Sequence, residues 1–307
     1  MTTTIPARPG YNYDVKRPLA EACTVADALE ASTFNYFQDQ LGLSEKFCRE
    51  RLQMESQRTM PKRIMDQLTS RGWIMQEKKI LDVGAGQGGL VLELLERGAD
   101  AYGVEPGEEF ASVARRRLQA EGHDPARIMV TGGDALPFAD EFFDYVISLQ
   151  VLEHVQNPAE VLREIFRVLR RGGQFQLNGE NYLCFREPHY CIAWLPLLPK
   201  RLGAMYLRSR GRNPEFLLKY IYYTTFPQIW RLCCALGFVD KSRDELLAKV
   251  SNSARTRMSK SRVTHYCLQK LPISLTSRAA RAVWYSRHLR NPVISLTLTR
   301  DSRDRNK

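Results

Sequence analysis

The chain has 307 residues, of which 44% are hydrophobic and 26% are charged, the composition of an ordinary globular protein. Its seven cysteines form no C-x-x-C pair and no regular spacing, which argues against a disulfide framework and a structural zinc site. The N-terminal stretch has no apolar segment, and the longest apolar run, residues 191–199, is short and interrupted by prolines. We therefore predict a cytoplasmic protein with neither a signal peptide nor a transmembrane helix.

The positive charge is concentrated in the second part of the chain. Residues 1–180 contain 21 Lys and Arg against 27 Asp and Glu, a net charge of −6, whereas residues 181–307 contain 24 against 7, a net charge of +17. Such a surface attracts anions, whether nucleic acid, anionic lipid head groups or a phosphorylated substrate. The alternative is a basic face that is simply solvated.

The chain begins with an irregular arm, residues 1–15, followed by helical patterning to about residue 75. The stretches "VADALEASTFNYFQDQLGLSEKFCRERL" and "MPKRIMDQLTSRGWI" predict two to four helices in this region. We expect residues 1–75 to form an N-terminal arm and helical cap, and residues 76–307 to form the main domain.

From residue 78 onwards, apolar strands alternate with helical segments. Strands are predicted at "KKILDVG", "DAYGVEP", "RIMVTGGD", "FFDYVISLQ" and "QFQLNG", with helices between them, the last of these over residues 157–173 with Asn157 as its N-cap. Short strands joined by helical crossovers form a mostly parallel sheet with helices on both faces, so the fold class is α/β. Later come a helix over residues 226–238, a short strand near Phe238 and a last strand at "NPVISLTLTR".

A glycine-rich turn after the first strand matches two cofactor templates. Gly84, Gly86 and Gly89 have dinucleotide spacing, whereas Asp82 followed by Gly84, Gly86 and Gly88 gives the D-x-G-x-G-x-G pattern of S-adenosylmethionine sites. A pyrophosphate would be repelled by the Asp82 carboxylate, while the ammonium and sulfonium groups of S-adenosylmethionine would be attracted to it. The sequence therefore favours S-adenosylmethionine.

Two further acidic residues suit the same cofactor. Glu105 ends the second strand, where a carboxylate can accept hydrogen bonds from a ribose diol. Asp134 follows the third strand and can accept one from an adenine amino group. Leu136 and Phe138 could line the adenine ring or belong to the core.

The motifs "LDVGAGQGG", "VEP", "GDALPF", "FDYVISLQVLEHV" and "EVLREIFRVLRRGG" resemble, in order and spacing, those of the class I S-adenosylmethionine-dependent methyltransferases over about residues 78–180. The resemblance implies a Rossmann-like sheet of seven strands with an antiparallel last strand. It also implies that the cofactor is held by a set of residues from four strand ends: Asp82, Gly84, Ala85, Gly86, Gln87, Gly88, Glu105, Pro106, Asp134, Ala135 and Gln150.

"LEHV" is similar to a stretch in the ubiquinone-pathway O-methyltransferases and the small-RNA 2'-O-methyltransferases, where an E-x-x-E-H pattern binds a divalent metal. This chain has Gln150 in place of the first Glu, so we predict no metal site. Methyl transfer to a hydroxyl requires removal of a proton, for which histidine is the usual base. His154 and His189 both follow strands at the cofactor side of the sheet, and we predict that they act in catalysis together with Glu187. The alternatives are a turn cap for His154 and a structural turn set by Pro188.

Two inserts, at about residues 181–226 and 242–290, are expected to form a substrate lid. In the first, aromatic and leucine residues pass directly into basic ones, as in a segment at a membrane interface; the basic residues are Lys200, Arg201, Arg208, Arg210 and Arg212. This insert is also loosely similar to lids of bacterial methyltransferases from cell-surface glycan pathways. No RNA-binding module is recognisable.

The function predicted from the sequence is O-methylation of a small or lipid-linked acceptor, for example a saccharide, with anionic character. The protein would be cytoplasmic or peripheral on the inner membrane surface. RNA methylation is the second alternative, and a catalytically inactive methyltransferase-like binding protein is the third. The intact Asp82, glycines and Glu105 argue against the third.

Overall fold

A computed structural model of the chain describes residues 17–19, 22–240 and 291–301. The predicted arm at residues 1–15 and the predicted insert at residues 242–290, which contains His265 and His288, lie outside the described residues.

The N-terminal region is helical, as its periodicity predicts. Helix α1 (Val25–Phe34) begins with a capping box, in which the Thr24 hydroxyl accepts from the Asp27 amide and the Asp27 carboxylate accepts from the Thr24 amide. It continues as a π-helix over Asn35–Gln40 and is followed by α2 (Glu45–Ser56) and α3 (Thr59–Ser70). Three α-helices therefore precede the first strand within residues 22–78.

The sheet has seven strands: β1 (Lys79–Val83), β2 (Asp100–Val104), β3 (Ile128–Met129), β4 (Phe143–Leu149), β5 (Leu169–Glu180), β8 (Phe238–Val239) and β9 (Val293–Arg300). Their order is β3-β2-β1-β4-β5-β9-β8. The first five pair in parallel, while β9 pairs antiparallel with both β5 and β8. The predicted seven-stranded, mostly parallel Rossmann-like fold with an antiparallel last strand is confirmed.

Helices cover both faces of this sheet, and each face has its own core. The helices that follow the strands are α4 (Gly89–Glu96), α5 (Glu108–Ala120), α6 (Pro158–Val168) and α9 (Phe226–Leu236). On one side α6 and α9 pack on β4, β5 and β9. On the other side α3, α4 and α5 enclose a core that includes Trp73 stacked on Tyr145 at 4.2 Å between ring centroids. This arrangement is expected for strands that are buried on both faces.

Two predicted boundaries differ from the structure. Helix α6 ends at Val168 rather than at residue 173, because Leu169 already pairs with Phe143 in the sheet and the Arg170 guanidinium contacts the Asp144 carboxylate at 2.5 Å. The third predicted strand, residues 127–134, is reduced to Ile128–Met129. Tertiary pairing thus overrides a local helical pattern at the end of α6.

Between β5 and α9 the chain forms a layer beyond the carboxyl ends of the strands. It contains the two short strands β6 (Arg186–Glu187) and β7 (Ile192–Ala193) and the helices α7 (Lys200–Ser209) and α8 (Glu215–Tyr220). Tyr182, Tyr190 and Trp194 from this layer share a hydrophobic core with Leu41 and Leu43 from the N-terminal region. Within the described ranges, no helix has the length and hydropathy needed to cross a bilayer.

Candidate active site

The glycine-rich turn after β1 has a backbone that only glycine adopts easily. Gly84, Gly86 and Gly88 have φ angles of +81°, +52° and +77°, in the left-handed region. An added Cβ at Gly84 would lie 2.3 Å from Cγ2 of Val151, and one at Gly88 would lie 2.8 Å from Cβ of Ala114. At Gly86 no heavy atom lies within 4 Å of that position. The first and third glycines therefore serve packing, and the middle one borders open space.

Two acidic side chains lie buried beside this turn. Asp82 is 3% exposed and Glu105 is 7% exposed. The two Glu105 oxygens accept hydrogen bonds from the Gly86 amide at 3.0 Å and the Gly107 amide at 2.9 Å, which leaves lone pairs for further donors.

Both carboxyls are strongly perturbed. Burial, and then the charge of Glu105, raises the pKa of Asp82 to about 8. Burial raises the pKa of Glu105 to about 7 against the opposing effect of its two amide donors. A ligand that brings a positive charge and two hydroxyl donors would relieve this cost, and S-adenosylmethionine fits that description.

The N-terminal helices contact the same turn. The Gln87 side-chain amide donates to the Ser32 hydroxyl at 3.0 Å and lies 3.3 Å from the Thr33 hydroxyl. The buried Arg117 guanidinium donates to the Gln87 carbonyl and, at the end of α2, to the Glu55 carbonyl. Gln87, predicted to bind cofactor, thus directs its side chain towards α1.

The remaining predicted cofactor residues differ in their burial. Ala85 is buried behind the turn, Pro106 and Asp134 are half-buried, and Ala135 is exposed. Leu136 belongs to the core and Phe138 packs against it, with its ring 4.7 Å from that of Phe143, which supports the structural interpretation of these two residues.

Gln150 occupies a strained position at the end of β4. Its φ angle is +59°, its amide donates to the Asn178 carbonyl, and its side chain hydrogen-bonds Glu180. Residues 152–154 follow as a 3-10 helix. Because the side chain of Val151 lies against Gly84, this helix is adjacent to the glycine-rich turn.

The structure brings Glu187, His189 and His154 together in a chain of successive contacts. The Nε2 atoms of the two histidines are 3.3 Å apart. The Nδ1 atom of His189 lies 3.1 Å from Glu187 Oε1, and the Nδ1 atom of His154 lies 3.0 Å from the Tyr220 carbonyl. Since carboxylates and carbonyls only accept, both Nδ1 atoms carry hydrogens. The two Nε2 atoms therefore need a cation between them, either a proton on one of them or a metal ion.

The charges around the histidines indicate where that proton lies. Burial and the neighbouring His189 lower the pKa of His154 to about 3, so it is neutral. Burial also opposes charge on His189, but hydrogen bonding to Glu187 and the nearby Glu153 and Glu180 raise its pKa. Of the two histidines, His189 is therefore the favoured site for a proton.

Sequence reasoning missed a third buried carboxylate here. Glu153 is fully buried, neither of its oxygens has a hydrogen-bond partner, and burial raises its pKa to about 7. Oxygen and nitrogen atoms of Glu153, His154 and His189 lie within 4.8 Å of one another, a donor set that could hold a metal ion. The prediction of no metal remains a prediction, and this donor set weighs against it. The signal was present in the "EH" pair itself.

Aromatic rings lie next to the two histidines. The Phe216 ring in α8 lies 5.7 Å from the His154 ring and 5.5 Å from the His189 ring. Tyr36, in the π-helix, lies 5.5 Å from Phe216 and 6.0 Å from Phe110, at the start of α5. No local pattern in the sequence marks Tyr36 or Phe216, because their partners are far away along the chain.

Comparisons with known proteins show which family the chain resembles. A family model described as a methyltransferase domain matches residues 81–177. The ubiquinone biosynthesis O-methyltransferase of Pseudomonas fluorescens is 37% identical over 160 residues, which cover 47% of this chain and 68% of that protein. The protein of the same name from Stutzerimonas stutzeri is 38% identical over 104 residues, covering 34% and 45%. A phosphoethanolamine N-methyltransferase from Haemonchus contortus, solved with S-adenosyl-L-methionine, has 18% identity and a TM-score of 0.46, covering 76% and 51%.

A glycine turn flanked by buried carboxylates, at the carboxyl edge of a sheet with the order β3-β2-β1-β4-β5-β9-β8, defines a methyltransferase that uses S-adenosylmethionine. The chain belongs to the class I S-adenosylmethionine-dependent methyltransferases.

Cofactor affinity is expected to depend on pH. Because Asp82 and Glu105 have pKa values of about 8 and about 7 without ligand, both are largely protonated at pH 6. The ammonium and ribose hydroxyls of S-adenosylhomocysteine favour the ionised carboxylates, so its affinity should rise from about pH 6 to about pH 9 with release of protons. Calorimetry in buffers of different ionisation enthalpy measures this release. Asp82→Asn should weaken the dependence, and an equal slope in that variant would contradict the assignment.

Proposed function

We propose that the protein transfers the methyl group of S-adenosylmethionine to a hydroxyl oxygen of a small or lipid-linked acceptor. The observation that supports this proposal is the chain of contacts Glu187–His189–His154 near the glycine-rich turn, a group of side chains that could take up the proton of an acceptor. The name of the Pseudomonas fluorescens relative, an O-methyltransferase, supports the choice of oxygen.

In this proposal His189 receives the acceptor proton through Nε2. A positive charge beside it, such as the sulfonium of the cofactor, would disfavour the imidazolium, so that any proton on His189 Nε2 passes to solvent before the acceptor hydroxyl gives up its own. The acceptor oxygen then forms a bond to the methyl carbon as the carbon–sulfur bond breaks, and the electron pair passes to sulfur. Glu187 holds the His189 ring through Nδ1 and is a positioning residue.

The surroundings restrict the acceptor. Glu153, Glu180 and Glu187 surround the histidines and are all buried, so an anionic group would be repelled there. The methylated end of the acceptor is therefore an uncharged hydroxyl against the rings of Phe216 and Tyr36. The anionic character expected from the sequence belongs to a part of the acceptor further out, near the basic residues of α7.

A metal-assisted form of the same reaction has its own observation, the unpartnered Glu153. Glu153, His154 and His189 would hold a divalent cation in the place of the shared proton, since one carboxylate and two imidazoles suit zinc, manganese or iron. Such an ion would lower the pKa of a bound acceptor hydroxyl. Gln150, where the resembling pattern has Glu, is hydrogen-bonded to Glu180.

Transfer of labelled methyl groups tests the proposal. The protein is incubated with methyl-labelled S-adenosylmethionine and separate sets of phenolic, saccharide and lipid-linked hydroxyl compounds, and the products are analysed by mass spectrometry. We expect an O-methyl product with at least one set and none with Asp82→Asn. Label found only on nitrogen, on carbon or on RNA would contradict the proposal. Repetition after chelator treatment, with metal analysis of the protein, distinguishes the two forms.

A further inference from the structure

The layer between β5 and α9 exposes apolar side chains to solvent. Phe185 is 73% exposed, Met205 63%, Leu195 60%, Leu202 52% and Leu197 46%. Elsewhere in the described ranges the exposed large hydrophobic residues, Ile74 at 64%, Val130 at 40% and Met60 at 36%, are scattered singly. Five such side chains within 21 residues of sequence are unusual, because soluble surfaces seldom concentrate apolar groups without a partner.

These side chains come from neighbouring elements. The Trp194 amide donates to the Phe185 carbonyl at 3.1 Å, which brings Phe185 close to Leu195. The Trp194 ring packs against Gly203, where an added Cβ would lie 2.6 Å from it, so the same loop lies on α7. Helix α7 buries Gly203, Ala204 and Leu207 and turns Leu202 and Met205 outwards.

The charges around this surface have one sign. Between residues 181 and 214 the sole acidic residue is Glu187, which is fully buried, whereas Arg186, Arg201, Arg208 and Arg210 are exposed. Lys200 and Arg212 are engaged within the fold, Lys200 with the Leu218 carbonyl and the Tyr222 ring and Arg212 with the Gly42 carbonyl. Arg201 and Arg208 flank Leu202 and Met205 on the outer side of α7.

We propose that this surface, Phe185, Leu195, Leu197, Leu202 and Met205 with Arg201 and Arg208, docks on an anionic lipid bilayer. Apolar side chains between basic ones match a membrane interface, where the former enter the acyl boundary and the latter meet anionic head groups. The uniform positive charge favours an anionic surface over a second copy of the same patch, since two copies would repel each other. The same layer carries Glu187 and His189, so docking places the site next to the bilayer.

Vesicle flotation with the full-length protein tests this inference. One set of vesicles contains zwitterionic phosphatidylcholine alone, and the other contains phosphatidylcholine with phosphatidylglycerol. We expect flotation with the second set, decreasing as salt screens the charges. Arg201→Gln with Arg208→Gln should lower the bound fraction about 25-fold, at about fivefold per charge. Leu202→Gln with Met205→Gln should lower it at least ~10-fold.

Two controls keep the test specific. Ile74→Gln removes a similarly exposed apolar side chain outside the surface and should float like the unchanged protein. Affinity for S-adenosylhomocysteine should be unchanged in every variant, which shows that the fold is retained. Flotation with neither vesicle, equal losses in Ile74→Gln, self-association through Leu202 and Met205, or salt-resistant binding of structured RNA would each overturn the inference.

Discussion

His189→Ala is expected to lower the turnover number ~10²–10⁴-fold, the usual effect of losing a general base. The affinity for S-adenosylhomocysteine should not change, because the hydrogen-bond partners of His189, namely Glu187, Tyr182 and His154, lie outside the glycine turn. Turnover is measured with the acceptor found by methyl transfer, and affinity by calorimetry. The expected pattern is a loss in kcat with cofactor binding intact.

Three further variants define the role of His189. His123→Ala replaces a histidine in the loop after α5 and should behave like the unchanged protein. Glu187→Gln should give a smaller loss than His189→Ala, because a side-chain amide can still accept a hydrogen bond from Nδ1 but no longer stabilises the positive ring. If His189→Ala turns over normally while His154→Ala is inactive, the role belongs to His154.

Gly86→Ala and Gly88→Ala are expected to have different effects: the first should weaken cofactor binding, and the second should lower the stability of the fold. In Gly88→Ala the new Cβ would lie 2.8 Å from Cβ and 3.0 Å from Cα of Ala114, so α5 has to move. Overpacking costs ~1–3 kcal/mol, and the left-handed backbone adds ~1–2 kcal/mol. The melting temperature should fall clearly, with cofactor binding weakened as a consequence.

In Gly86→Ala the new Cβ meets no neighbouring heavy atom within 4 Å. The fold should lose only the backbone cost of ~1–2 kcal/mol, whereas the close approach of the cofactor is blocked. We expect at least ~10-fold weaker binding of S-adenosylhomocysteine, an effect of ~1.4 kcal/mol or more. Thermal unfolding and calorimetry on both variants test the contrast. Normal binding by Gly86→Ala would place the cofactor elsewhere.

Much of the fold could be predicted because its signals are local. Buried strands, glycine ends and alternation with helices are visible over short windows, and so is the D-x-G-x-G-x-G turn with Glu105. The end of α6 could not be predicted, because "VLRRGG" continues a helical pattern while Leu169 pairs with Phe143, 26 positions earlier in the chain. The third strand was predicted too long because Val130 and Thr131 are typical strand residues, although neither pairs in the sheet.

The sequence indicated several residues of the site but not how they contact one another. The sequence identified His154, His189 and Glu187 as candidate catalytic residues near strand ends. Their mutual contacts depend on the segment after β6 lying close to the segment after β4. Glu153 was given no role because its local signal, the "EH" pair, does not show that both its oxygens are buried without a donor. No sequence pattern distinguishes Phe216 and Tyr36 from ordinary core residues. Their position near the histidines follows from packing between segments that are distant along the chain.

The hydrogen bonds that connect the N-terminal helices to the glycine turn have a thermodynamic consequence. The Ser32 hydroxyl and the Glu55 carbonyl are held, through Gln87 and Arg117, against the loop that is predicted to contact the cofactor. Occupation of that loop and ordering of these helices are therefore linked equilibria, and each must favour the other by the same free energy. Any ligand, partner or substitution that loosens α1 or α2 lowers cofactor affinity without touching the cofactor, so these helices form a second place from which methyl transfer can be regulated.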